Sequence, residues 1–131
     1  MFKVLYDIKI VSFLPYNELI AYYKSSAALL IPLRNSIQDI ARFPHKIAEY
    51  CAAGSPIITT KYGEPAKFLK HNKTALISEN YTPLSFSKQM IYVIENPEIV
   101  RVIGNNSLNE GKNMFDYKSK INSLSNFLKE L

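Results

Sequence analysis

The chain has 131 residues, 47% of them apolar, which is enough for one domain with a proper core. A formal net charge of +5 on scattered lysines reads as ordinary surface charge, and by itself selects neither nucleic acid, membrane nor an anionic ligand. One cysteine excludes an intramolecular disulfide and suits a reducing compartment, one cysteine with two separated histidines argues against a metal site, and no apolar run reaches transmembrane length.

Met1 to Asp7 reads either as a lead-in or as the tail of an earlier helix, and Lys3, Asp7 and Lys9 interrupt any signal-peptide pattern. Ile8 to Phe13 predicts a strand, broken by Pro15. Asn17 is placed to cap a helix from Glu18 to about Ser26, with Leu19, Ile20, Tyr22 and Tyr23 on its apolar side. Ala28 to Ile31 is a continuous apolar run of strand length. Pro32 closes it, and a polar loop is expected from Arg34 to Asp39.

The stretch from Ala41 to Thr60 is the most informative in the chain. Pro44 can open a helix because its missing N–H is one the first turn leaves unpaired. Ile47, Tyr50 and Cys51 fall at i, i+3 and i+4 on one face. Gly54 is a natural stop with positive φ, Ser55-Pro56 forbids more helix, and Ile57 to Thr60 is a β-branched run fit for a central strand. A helix N-terminus emerging from a loop is a ready anion site. Arg42 and Lys46 flank it, and Glu49 lies about one turn further in. Two cations, backbone donors and one carboxylate suit a diphosphate carrying a ribose. The plainer account is an amphipathic helix with solvated charges.

Downstream, Lys61 to Pro65 is a turn, and Pro65 can start a short helix to Leu69 or Lys70. His71 to Lys73 is a turn, Thr74 to Ile77 a strand, and Thr82-Pro83 an N-cap and first position of a helix ending at Asn96-Pro97. A helix from Glu98 to about Lys112 follows, weakened by Gly104-Asn105-Asn106. A last helix from Phe115 to Leu131 has Ile121, Leu124, Phe127, Leu128 and Leu131 along one side, expected to pack. Alternating helices and short strands, apolar on both faces, predict a single α/β domain with a parallel sheet flanked by helices. Ligands in such sheets bind beyond the carboxyl ends of the strands, which selects the loops after Phe13, Ile31 and Thr60.

Phe43-Pro-His-Lys-Ile-Ala-Glu-Tyr-Cys-Ala-Ala-Gly-Ser-Pro-Ile-Ile58 resembles the signature of the donor-binding, C-terminal domain of GT-B glycosyltransferases of group 1 (family 4). Phe13 to Leu19 with Tyr22 to Ala27, Leu29 to Leu33, Gly63, and His71 to Ile77 resemble the neighbouring elements, so the likeness spans roughly residues 8–131. The resemblance implies a Rossmann-like domain that binds a nucleotide-diphosphate sugar and serves a hexosyltransferase-type transfer to a glycan or lipid-linked acceptor. By that resemblance Glu49 accepts hydrogen bonds from ribose hydroxyls, Lys46 and Arg42 neutralise the departing diphosphate, Leu14 and Pro15 lie where backbone meets the nucleobase, and Tyr62 and Gly63 lie near the donor. No metal or other cofactor is implied, and His45 is assigned no chemistry. The implied location is cytoplasmic, with peripheral contact at the inner membrane face.

The sequence also departs from the family. Many members carry a first glutamate eight positions before Glu49, close to the donor sugar, and here that position is Ala41. Paired glycines frequent in the family are missing from Tyr62 to Pro65, and Lys67 stands where many members carry a glutamate. The likeness covers only the later part of the second of two domains. The expectation is therefore an incomplete domain with an exposed apolar edge or face, inactive unless a separate acceptor-binding domain or chain completes it. The alternative reading is a non-catalytic α/β relic or interaction module. Nucleic-acid binding ranks third, because the tyrosines and lysines fall mostly at helical core or surface spacings.

Overall fold

The computed structural model describes residues 8–131. Three parallel strands form the sheet in the order β1 (Leu29–Ile31), β2 (Ile57–Thr60), β3 (Leu76–Ser78). Around them lie α1 (Tyr16–Ser25), α2 (Ile37–Ala41), α3 (Lys46–Ala53), α4 (Pro65–Phe68), α5 (Pro83–Glu95), α6 (Pro97–Phe115), a 3-10 turn (Tyr117–Lys120) and α7 (Ile121–Lys129). The arrangement is a Rossmann-like parallel sheet covered on both faces. Strand alternation sends Leu29 and Ile57 to one side, against Ile47, Tyr50 and Cys51 of α3. Ile58 and Leu76 go to the other side, against Val93 of α5 and Val100 and Ile103 of α6.

β2 is the central strand and is buried throughout. Its two threonines remain in the core because their hydroxyls are used: Thr59 donates to the Ile31 carbonyl at 3.0 Å, and Thr60 Oγ1 accepts from the Leu33 N–H at 3.2 Å. Those bonds tie the segment after β1 to β2. α3 ends as its sequence predicts, with Gly54 at φ 73° and its N–H on the Cys51 carbonyl. Thr82 caps α5 by accepting from the Ser85 N–H.

Several expectations need correction. Residues 8–13 form no strand; Ile10 is 92% exposed and Phe13 has φ 57°. A strand requires an edge to pair with, and this segment adds to neither outer edge of the sheet. Asn17 lies inside α1, whose N-cap position is Pro15 without a side-chain bond. The polar loop from Arg34 to Asp39 contains the start of α2, capped by Ser36 Oγ, which accepts from the Asp39 N–H.

The glycines of α6 do not weaken it. A Cβ at Gly104 would collide with the Gly54 carbonyl, and one at Gly111 would sit 2.5 Å from Cys51 Cβ. They let α6 press directly on α3, and Ser107 between them donates to Cys51 Sγ at 3.3 Å. The final helix is split at Asp116, which accepts from the Lys118 N–H, and its apolar side is exposed rather than packed. Among the described residues no helix is long and apolar enough to cross a membrane.

Candidate functional site

The signature residues occupy the segment that joins β1 to β2 through α2 and α3. Phe43 anchors its middle: its ring stacks on Phe68 at 5.6 Å and meets Phe115 at 5.8 Å. Pro44 and His45 then turn the chain, with their carbonyls accepting from the Ile47 and Ala48 N–H groups. Helices that return antiparallel to the strands begin at the carboxyl end of the sheet, so the N-terminus of α3 opens there. Lys46 is its first residue, exposed, and makes no ion pair among the described residues.

Glu49 is half-buried one turn further along. Tyr23 of α1 donates its hydroxyl to Glu49 Oε2 at 3.3 Å, while Oε1 has no protein partner among the described residues. Tyr23 is in turn held by an edge-on contact with Tyr50, ring centres 5.1 Å apart. Burial, followed by the Glu49 charge, pushes the Tyr23 phenol up to about 12, so it stays a donor at neutral pH. The carboxylate is thereby oriented through one oxygen and open at the other.

Arg42 is not a free cation. Its Nη2 lies 2.8 Å from Asp39 Oδ1, and Asp39 also accepts from the Arg34 N–H at 2.9 Å and Arg34 Nε at 3.1 Å. Asp39 is 2% exposed, and these hydrogen bonds, chiefly from Arg34, hold its carboxyl below the usual range. Gly63 closes on the same place: at φ 77°, its added Cβ would lie 2.7 Å from the Asp39 carbonyl oxygen. Asp39 thus brings together Arg34, Arg42 and Gly63. Tyr62 is half-buried and pairs with the Lys61 ammonium, 6.0 Å from its ring centre.

Leu14 and Pro15 stand at the start of α1, not after a strand, and among the described residues no hydrogen bond joins them to Arg42, Lys46 or Glu49. A separate recess of about 470 Å³ beyond β3, lined by Lys61, His71, Asn80, Thr82 and Lys88 among others, does not include Arg42, Lys46 or Glu49.

The family model of glycosyl transferases, group 1, matches residues 3–110, most of the chain and the whole of this segment. The chain belongs to that family. No curated protein and no solved structure matches it. In this group 1 glycosyl transferase, sequence reasoning missed Tyr23, Asp39 and Arg34. Ser36-Ile-Gln-Asp39 has the spacing of a helix-capping pair and could have flagged α2 and its aspartate. No local pattern could have matched Tyr23 to Glu49, because that contact joins two helices.

Proposed function

We infer that this group 1 glycosyl transferase binds a nucleotide-diphosphate sugar at the mouth of α3. The observation that carries the reading is Glu49, fixed through Oε2 by Tyr23 and open at Oε1, one turn inside a helix whose first residue is the exposed Lys46. Oε1 accepts a ribose hydroxyl. The Lys46 ammonium and its own backbone N–H, the first of α3 and one that the Pro44–His45 turn does not use, face the diphosphate and stabilise the charge that develops on it as the glycosidic bond breaks. Arg42 acts while ion-paired, since one contact to Asp39 leaves its other guanidinium N–H groups to reach an anion. Tyr62, Gly63, Leu14 and Pro15 border the donor as backbone and surface contributors.

Transfer also needs an acceptor-binding surface, which the family resemblance assigns to another domain. The expected behaviour of the 131-residue chain is donor binding without appreciable turnover. A second reading, a module that binds without ever transferring, is favoured by one observation. Ala41 replaces the carboxylate that many members place near the sugar, and Asp39 does not substitute for it because both its oxygens serve arginines.

The test is a titration of the folded chain with UDP, GDP and ADP, following backbone amide signals by NMR. Shifts confined to residues 42–49, abolished by Glu49→Ala, are expected, and the preferred base names the donor class. A folded chain that shifts with none of the nucleotides sinks the donor-site reading.

A further inference from the structure

The recess beyond β3 is built from three separate parts of the chain and shares no lining with Arg42, Lys46 or Glu49. Lys61 enters it just past β2, His71 from the turn before β3, and Lys88 from the second turn of α5. Among the described residues, neither lysine makes an ion pair and Glu79 is the single acid of the lining. His71 is fixed by the backbone. Its Nδ1 accepts from the Ile77 N–H at 2.9 Å, so the neutral ring carries its proton on Nε2 and keeps a donor to offer. The same bond takes up an outward N–H of the edge strand β3, which closes that point of the sheet to an added strand.

The far wall is held from within. Buried Ser78 donates to the Asn80 carbonyl and lies against Ser85 Oγ, each at 2.8 Å, and Thr82 accepts from the Ser85 N–H. The side-chain amides of Asn80 and Gln89 take no part in this and have no protein partner among the described residues. Leu84, 71% exposed, and Ile77 give the recess an apolar patch.

We propose that this recess binds a monosaccharide carrying a phosphate or carboxylate group. The anion meets the Lys61 and Lys88 ammonium groups and the His71 Nε2–H. The Asn80 and Gln89 amides, each donor and acceptor at once, match ring hydroxyls, and Leu84 with Ile77 matches the C–H face of the ring. The volume of about 470 Å³ falls within the roughly 300–1,000 Å³ usual for small-molecule sites. A peptide strand fits less well because His71 occupies the edge. A nucleobase fits less well because, among the described residues, no phenylalanine, tyrosine or tryptophan lines the recess to stack on it.

The inference goes beyond the donor-site reading, and its reporters are different residues, so the two can fail separately. The full chain is titrated with glucose 1-phosphate, glucuronate, glucose and inorganic phosphate, following backbone amide signals by NMR. Shifts at Lys61, His71 and Lys88 are expected with glucose 1-phosphate, glucuronate or both, and the preference between them tells which anion the recess takes. Glucose should bind at least about tenfold more weakly, for want of the charge-assisted bonds. Inorganic phosphate should also bind more weakly, lacking the ring. Lys61→Gln with Lys88→Gln should remove the advantage over glucose, and Gln89→Ala should narrow the advantage over inorganic phosphate. Both lysines are exposed, so unchanged circular dichroism is expected for their double variant, and the comparison of ligands on the unaltered chain decides even without it. The proposal is overturned if neither anionic sugar shifts these residues, or if glucose or inorganic phosphate binds as tightly as the anionic sugars. It is also overturned if the shifts fall only at residues 42–49, which would assign the sugar phosphate to the donor site.

Discussion

α3 and α7 are of similar length, and both carry an apolar arc at helical spacing, but they meet different fates. The α3 arc is enclosed by α1, the sheet and α6, while the α7 arc faces outward. The difference lies in what surrounds each helix. α3 is met by small residues on its neighbour, Gly104 and Gly111, which allow backbone-close packing, whereas among the described residues no glycine makes such an approach to α7. An apolar arc therefore tells which side of a helix needs covering, and its neighbours decide whether this chain supplies the cover.

The sharpest way to break the comparison is to truncate one residue in each arc. Ile47→Ala should cost about 3 kcal/mol, the toll of a cavity in an enclosed site, while Leu124→Ala should stay within about 0.5 kcal/mol. Urea unfolding followed by circular dichroism measures both, and similar losses would mean that α7 is packed after all. Next in size, Gly104→Ala inserts a methyl into the Gly54 carbonyl and should cost roughly 1–3 kcal/mol by forcing α6 off α3.

A smaller effect is expected where α1 meets α3. Tyr23→Phe should cost about 1 kcal/mol by removing the bond to Glu49, and should loosen nucleotide binding in the titration. The same residue contributes a pH signature. Its folded-state pKa is raised from 10.0 to about 12, so its stabilising contribution is full below pH 10 and is lost as pH climbs through that window. Alkaline unfolding of Tyr23→Phe should lack that component.

Asp39 has the opposite sign. Its pKa is lowered, so its contribution is present above the ordinary aspartate range and disappears on acidification through the folded-state value. Asp39→Asn should flatten the acid limb of the stability profile and leave α7 unaffected, which thermal melts between neutral and acid pH would show.

Much of the α3 environment could be read from the chain. The Ile47-Tyr50-Cys51 face, Gly54 and the β-branched run through Thr60 each act through local sterics or periodicity, and the structure realises them in place, whereas Pro44 stands two residues before α3 and not at its first position. The residues that tune the site were not legible for the same reason. Tyr23 reaches Glu49 from another helix, and Asp39 gathers Arg34 and Arg42 through a helix too short for periodicity to reveal. Gly104 misled in a third way. Intrinsic propensity scores glycine as a weak helix former, but here it stands, like Gly111 further along, where another backbone or side chain must come close. Ile8 to Phe13 shows the limit of strand signals, since β-propensity supplies no partner.

Cys51 turns the contact between α3 and α6 into something that can be timed. It is the single thiol of the chain, it is buried beneath Gly111, and burial pushes its pKa up, so it is unreactive while the two helices stay together. Its rate of alkylation therefore counts the moments when α6 lifts away. A ligand that grips the start of α3 should slow that clock, giving a chemical readout of occupancy that needs neither turnover nor a labelled sugar.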